Sequence, residues 1–499
     1  MKKLLFIILL FIASPCFGAA TNVDCSSSAT VNTAITNASN EDVLTCTAGG
    51  TWAGTVTIPS SKSITFNGGG YSVDGTMDVT SHATINTRIT NFVFTKTGDY
   101  NQVKVSTVKT DAAVRVDNCS FTGSGSYHLF IYGLGAVLVD NNAFAGSAAA
   151  ETVHVWGGGV DDADTWTDVY TPGTSPTVIF EDNTFTGPSS GNNAWIQCYY
   201  GARIVARYNT FDNWSIDFHG TYGSPITAYA GRWWEIHHNN FINDWDKNQP
   251  TLLNMRGGSG LIYANDGTQT LHPELRDWIK LGEEQLPAEA YPSVHQIGRG
   301  QSNALYPAYI WGNTNLSIAL NACDCVDVDP DNVALNRDVY YPSTGTSNPA
   351  SCTVGQGFWR TDESKLYKCT ETDTWTEYYA PYTYPHPLQD PAPTQYALTL
   401  TITGTGSGTV SSSPPGISSS SSTSGNFDDD TEVTLTATAT SPNYFAGWSG
   451  TGGCTGTSTC VLTMSAAKAA TATFSLYGTM TAGSGGSIVS GAGGSITVP

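Results

Sequence analysis

Short apolar runs and polar turn residues alternate along most of this chain, and the pattern recurs. "AVLVD", "TVIFE" and "ARIVAR" each lead into a turn that closes on Asn-x-Phe. The phenylalanines Phe121, Phe144, Phe185, Phe211 and Phe241 stand 23, 41, 26 and 30 residues apart. The longest interval holds the insertion "GGGVDDADTWTDVYTPGTSP". Two residues before each Phe are Cys119, Asn142, Asn183, Asn209 and Asn239. A period this short, with strand-like runs and no helical periodicity, predicts a solenoid of strands. No single coil can bury its apolar face alone, so the coils stack. Asn at the turn tolerates a left-handed backbone, and stacked amides can bond one another along the axis. The Phe is expected inside.

The strand after each turn alternates cleanly. The segments are "HLFIYG", "TVHVWG", "AWIQCYYG", "SIDFHG" and "LLNMRG". One set is apolar throughout: Leu129 and Ile131, Val153 and Val155, Ile196 and Cys198, Ile216 and Phe218, Leu253 and Met255. This set should point inward, because strand side chains alternate faces. The other set then makes two outward columns across coils stacked about 4.8 Å apart. One reads Phe130, His154, Gln197, Asp217, Asn254; the other reads Tyr132, Trp156, Tyr199, His219, Arg256. The extra residue in "AWIQCYYG" makes its register the least determined.

With this rhythm and its Asn ladder, residues 50 to 340 resemble the right-handed parallel β-helix proteins of the pectate-lyase-like fold. That resemblance implies the architecture; the same fold carries lyases, hydrolases, epimerases, phage spikes and adhesins, so activity has to be argued from the site. "RYNTFDNWSIDFHGTYG" and "APYTYPHPL" also resemble bacterial β-helix proteins of unassigned activity. Residues 341–395 lose the rhythm and read as a strap that packs along the solenoid or closes its end. From Tyr396, "YALTLTITGTGSGTV", "TEVTLTATA" and "FAGWSGTGGCTGTSTC" resemble the divergent bacterial repeat of the internalin B type, over residues 396–476. A Gly/Ser-rich tail, 477–499, follows. The expected fold class is all-β, a right-handed parallel β-helix solenoid over 21–340 followed by a small β-repeat module.

Charge and the ends of the chain narrow the functional classes. Lys and Arg number 21 against 42 Asp and Glu, for a net charge of −21. Nucleic acid is a poor partner for such a chain, because phosphate binding needs clustered Lys and Arg. The opening "MKKLLFIILLFIASPCFGAA" has two lysines, a short apolar run and small residues. It reads as a signal peptide over 1–20, too short to span a bilayer. A secreted or cell-surface protein without a transmembrane segment is expected, attached through its C-terminal module. Export permits disulfides, and Cys25–Cys46, Cys352–Cys369 and Cys454–Cys460 are sensible local pairs. Cys323 and Cys325 are left open; Cys119 and Cys198 lie in apolar strand patterns and should be buried thiols.

Rings beside amides and a carboxylate suit sugars, whose C–H faces stack while their hydroxyls accept and donate hydrogen bonds. An acidic extracellular polysaccharide is therefore the expected partner. Elimination from a uronate needs a neutralised carboxylate, a base and a proton for the leaving oxygen. Arg256 could clamp the carboxylate, His219 act as base, Asp217 orient it and Tyr199 supply the proton. His154, Trp156, Gln197, Asn254 and Tyr132 would bind substrate. Glycoside hydrolysis typically needs two carboxyl groups; the strip has one, and Glu235 lies on the next strand around the coil. The alternative is a non-catalytic surface adhesin or structural protein, with the strip as a glycan-binding face or covered by the strap. Asp327, Asp329 and Asp331 in "CDCVDVDPDN" have alternate spacing that could hold Ca²⁺, though the EF-hand Gly and Glu are absent. Asp161, Asp162, Asp164 and Asp168 could rim the face with a metal. His295 and Arg299 in "VHQIGRG" stand at the head of a further coil, where they could extend the strip.

Overall fold

The computed structural model describes residues 19–96, 98–123, 125–146, 153–158, 166, 170–188, 194–221, 229–243, 251–269, 277–282, 295–300, 304–321, 333–389, 395–414, 416–428, 431–450 and 453–476. The signal-peptide reading, apart from its last two residues, and the Gly/Ser tail lie outside them. The chain divides into two compact units, Met1–Leu388 and Gln389–Pro499.

In the first unit, three all-parallel sheets of twelve, nine and ten strands are built by one path repeated coil after coil. Arg203–Arg207 joins the twelve-stranded sheet, Thr210–Asp212 the nine-stranded and Trp214–Phe218 the ten-stranded. Trp233–His237 then begins the next coil beside Arg203–Arg207. This is a parallel β-helix. Its inward residues are the apolar set read from the sequence: Leu129, Ile131, Ile196, Cys198, Ile216, Phe218, Leu253 and Met255 all have no exposed surface.

Two ladders run along the axis. Phe121, Phe144, Phe185, Phe211 and Phe241 stack with ring centroids 4.6–4.9 Å apart. Asn142, Asn183, Asn209 and Asn239 each pass an Nδ2 hydrogen to the Oδ1 of the next Asn at 2.9–3.0 Å, and the ladder continues through Asn265 to Asn313. Each ladder Asn from Asn142 to Asn265 is buried and also donates to a main-chain carbonyl, as Asn209 does to Phe180. The ladder is thus the means by which buried turn groups are satisfied.

The expectation that these asparagines hold the left-handed turn needs correction. The left-handed position is one residue earlier: Asn118, Asn141, Asp182, Tyr208 and His238, with φ between 51° and 57°. The chain bends at that residue, which lets the next side chain swing inside. The same device absorbs the extra residue of "AWIQCYYG", since Tyr200 has φ 51°.

A helix, Ser28–Asn37, was not foreseen. Ser27 caps it by accepting from the Thr30 amide at 3.3 Å, and Val31 and Ile35 bury one face against the first coils. The disulfides Cys25–Cys46, Cys352–Cys369 and Cys454–Cys460 are those expected from spacing. Cys119 and Cys198 are buried free thiols; Cys323 and Cys325 lie outside the described residues.

Residues 341–388 belong to the first unit. Ser343–Gly345, Gly357–Arg360, Lys365–Glu371 and Thr374–Tyr379 form a small sheet. Tyr379 and Leu366 pack with Trp233, Leu261, Tyr263 and Tyr309 on the outer face of the twelve-stranded sheet. The chain then runs back along earlier coils. Tyr382 and Leu388 cover Leu138, Ile179 and Val205. Arg207 donates to the carbonyls of Tyr382 and Thr383, and Arg115 to that of Leu388. In the second unit two four-stranded sheets, mainly antiparallel, share a core that includes Leu398, Leu400, Val433, Trp448 and Phe474.

Candidate functional site

The outward columns of the ten-stranded sheet fall in the register read from the sequence. Phe130, His154, Gln197, Asp217 and Asn254 are paired from coil to coil, as are Tyr132, Trp156 and Tyr199. His219 and Arg256 lie just past their strand ends and complete the second column by contact. The His219 ring stacks on Tyr199 with centroids 3.7 Å apart, and Arg256 Nη2 lies 2.6 Å from His219 Nδ1.

Exposure differs from expectation. His154, Gln197, Asp217, Asn254 and Arg256 are buried, while Phe130, Trp156, Tyr199 and His219 are half-buried. Tyr132 is exposed at 37%. Side chains in register at the coil spacing shield one another, so the long polar groups lie down against their neighbours and the rings remain partly exposed. The described residues of the strap pack instead on the twelve-stranded sheet.

The buried polar groups form one connected network. Arg256 holds Asp217 by Nε to Oδ1 at 3.1 Å and Nη2 to Oδ2 at 2.7 Å. Asn254 adds a bond to the same Oδ1 at 3.1 Å. His219 Nε2 lies 3.0 Å from Gln197 Oε1 and 3.3 Å from Asp217 Oδ2. Tyr199 also donates its hydroxyl to Gln197 Oε1. Gln197 Oε1 can only accept, so its bond needs the proton on Nε2, which leaves Nδ1 to accept from Arg256 Nη2; the same Nη2 also lies 2.8 Å from Nε2. Burial on its own would raise the Asp217 carboxyl, but His219 and Arg256 outweigh it and hold the carboxyl below its ordinary value.

Around this network the rings form a patch. Trp156 meets Phe130 edge-on at 5.0 Å and Tyr200 at 4.8 Å. His154 lies 4.2 Å from Tyr127 and 5.8 Å from Tyr199. The first column also runs further than was read. Asp78 and Lys104 precede Phe130, and Lys280 follows Asn254. The signal was present in "VKV" and "WIKL", each a charge between two inward residues.

Glu235 is not a second carboxylate for this site. It points outward from the twelve-stranded sheet, fully buried, where Tyr379 donates to it and His237 Nε2 stands 3.5 Å away. Burial pushes its carboxyl up to about 7 despite the Tyr379 bond. His295 and Arg299 do not prolong the strip either. His295 stacks on Trp166 at 3.8 Å and lies 3.0 Å from Thr221, at the corner between sheets. Arg299 pairs with Asp338 at 3.3 Å. Asp327, Asp329 and Asp331, and likewise Asp161, Asp162, Asp164 and Asp168, lie outside the described residues. Among the described residues no group of three His, Cys, Asp or Glu could hold a metal ion, and no helix is long and apolar enough to cross a membrane.

No protein-family model, curated protein or solved structure matches the chain. The parallel β-helix therefore stands on its own geometry.

Proposed function

We propose that the protein binds an extracellular polysaccharide along the strip of the ten-stranded sheet. The observation that carries this reading is the patch of Phe130, Tyr132, Trp156 and Tyr199. These rings remain partly accessible beside polar groups whose charges are already paired. Rings in that setting stack on sugar C–H faces, and the pre-bonded floor does not move when the ligand arrives. The coil spacing of about 4.8 Å is close to the rise per sugar of an extended glycan, so one chain can follow the column. Export, and attachment through the internalin-B-like module, belong to the same proposal.

Cleavage by elimination is a second reading, favoured by one observation. His219 keeps 15% of its side chain accessible while Asp217, Arg256 and Gln197 fix its ring. In this reading Arg256 gives up His219 Nδ1, which takes the proton beside the uronate carboxylate; the C=C bond forms as the bond to the glycosidic oxygen breaks, and Tyr199, turning from Gln197, protonates that oxygen. Arg256 already grips Asp217, and Lys104, beside Phe130 in the same column, adds a cation that would draw an acidic chain.

The test uses a panel of neutral and uronate polysaccharides, with and without Ca²⁺. Binding that is lost in Trp156→Ala supports the strip. Retention by that variant equal to wild type removes it. Appearance of unsaturated-product absorbance, abolished in His219→Ala, supports the elimination reading; no absorbance on any substrate leaves binding alone.

A further inference from the structure

Six carboxylates are buried among the described residues: Asp117, Asp140, Glu181, Asp217, Glu235 and Asp338. Arginine holds five of them, Arg88 at Asp117, Arg115 at Asp140, Arg207 at Glu181, Arg256 at Asp217 and Arg337 at Asp338. Glu235 is the exception. Among the described residues no Lys or Arg pairs with it, and its contact of that kind is with His237 Nε2, at 3.5 Å. Outside them the basic residues are Lys2, Lys3, Lys247 and Arg276. Lys247 and Arg276 fall in linkers from the nine-stranded to the ten-stranded sheet, whereas Glu235 sits on the twelve-stranded one.

What reaches Glu235 instead is the strap. Tyr379 donates its hydroxyl to Oε1, and the Tyr263 hydroxyl of the following coil lies 3.1 Å from that of Tyr379. Tyr170 from a linker and Tyr382 from the strap also stand close enough to feel its charge. Arg207 of the preceding coil acts on it from a distance while paired with Glu181, and Arg203 acts on Tyr170 and Tyr382. Burial outweighs these neighbours and pushes the carboxyl up to about 7. A carboxyl walled in by hydroxyls and rings rests with its proton on; the carboxylate form needs water. Lifting Tyr379 and the residues after it admits that water. Those residues are tied down separately, with the His386 amide donating to Glu181 Oε1 at 2.8 Å.

We propose that residues 379–388 form a proton-gated latch, which lifts as Glu235 gives its proton to solvent, bares Trp233, Tyr263 and Val205, and reseats when the proton returns. Seated, the carboxyl keeps its proton up to about 7; lifted, it returns to its ordinary 4.5. Seating is therefore favoured fully below 4.5 and loses ground as pH rises to 7. Across that interval lifting becomes about tenfold easier per pH unit, about 300-fold in all, and it levels off above 7. The reporter is the His386 amide, followed by hydrogen exchange in the full chain. The ratio of wild-type to Glu235→Gln exchange at each pH cancels the chemical pH dependence of exchange itself. That ratio should climb between pH 5 and 7 and then flatten. His386 should also exchange well ahead of the core amides of Ile216 and Phe218, and respond less to low urea, because a lifted strap exposes far less surface than an unfolded solenoid. Tyr379→Phe removes the bond that eases the carboxylate, so its plateau should move to higher pH. A ratio that does not change with pH overturns the proposal. So does a His386 amide with the protection and urea response of Ile216 and Phe218, which would mean that the strap lifts only when the whole fold does. An unmoved plateau in Tyr379→Phe overturns the part given to Tyr379.

Discussion

Arg256 grips Asp217 from the neighbouring coil through two parallel hydrogen bonds, at 3.1 and 2.7 Å, with both side chains almost wholly buried. Removing one partner leaves the other as an uncompensated buried charge, a loss of about 3–5 kcal/mol. Asp217→Ala and Arg256→Ala should each lower the unfolding free energy, read by urea titration, by that order. The double variant should cost clearly less than the sum, since no orphan charge remains. An additive pair of losses would show that the two residues act apart.

The Asn ladder makes a second prediction. Asn209 donates to Phe180, Arg207 and Asn239, and its Oδ1 accepts from the Asn183 amide. Asn209→Ala orphans buried main-chain groups on two coils, at about 1–3 kcal/mol for each unsatisfied group. Hydrogen exchange should rise at Asn183 and Phe180 first. A variant as stable as wild type would mean that the ladder merely decorates the turn.

Acidity should act through histidine. Burial holds His128, His238 and His386 down to about 4 and His295 to about 3, with His237 well below its ordinary value. Each folded-state value is depressed, so each contribution is fully present above the unfolded value near 6.5 and is lost as pH falls toward 4. Glu235 has the opposite sign. Its value is raised to about 7, so its protonated form fits the fold, and stability drains away as pH rises from its ordinary 4.5 through 7. Glu235→Gln should therefore gain on wild type by about 3 kcal/mol across that interval, taking 1.36 kcal/mol per unit. Unfolding free energy measured against pH checks both slopes; a pH-independent gap between the two proteins would remove the Glu235 assignment.

Tyr132 separates binding from folding. Its ring is exposed, so Tyr132→Ala should change stability by no more than about 0.5 kcal/mol. Retardation of the protein in a polysaccharide gel should nonetheless weaken severalfold. Unchanged mobility would place the ligand elsewhere on the strip.

Periodicity made the coils, the inward set and both columns legible, because a one-residue slip would have turned Ile216 and Phe218 to solvent and Asp217 inward. It could not reveal the fate of polar groups once aligned. Periodicity faces Arg256 and His219 toward a ligand; side by side in register with Asp217 they bond to one another first. Nor could periodicity say which sheet the strap would choose. Its partners, Arg115, Arg207 and Glu235, sit on the strand that begins each coil, where a charge on an outward position resembles ordinary solvated surface until something covers it. The cap helix hid for another reason. "SSSATVNTAITN" is rich in Thr and Ser, and only Val31 and Ile35 mark its buried face.

The return of 380–388 along earlier coils has a consequence for biosynthesis. A chain emerging from the ribosome can wind its coils in order, each templated by the one before. Glu181, Arg207 and Glu235 must then wait in water while more than a hundred further residues are made. Residues 380–388 then arrive and dry out a surface made long before them. A nascent chain halted near residue 340 should hold a wound but unsealed solenoid, and the arrival of Tyr379 to Leu388 should be the event that renders it resistant to protease.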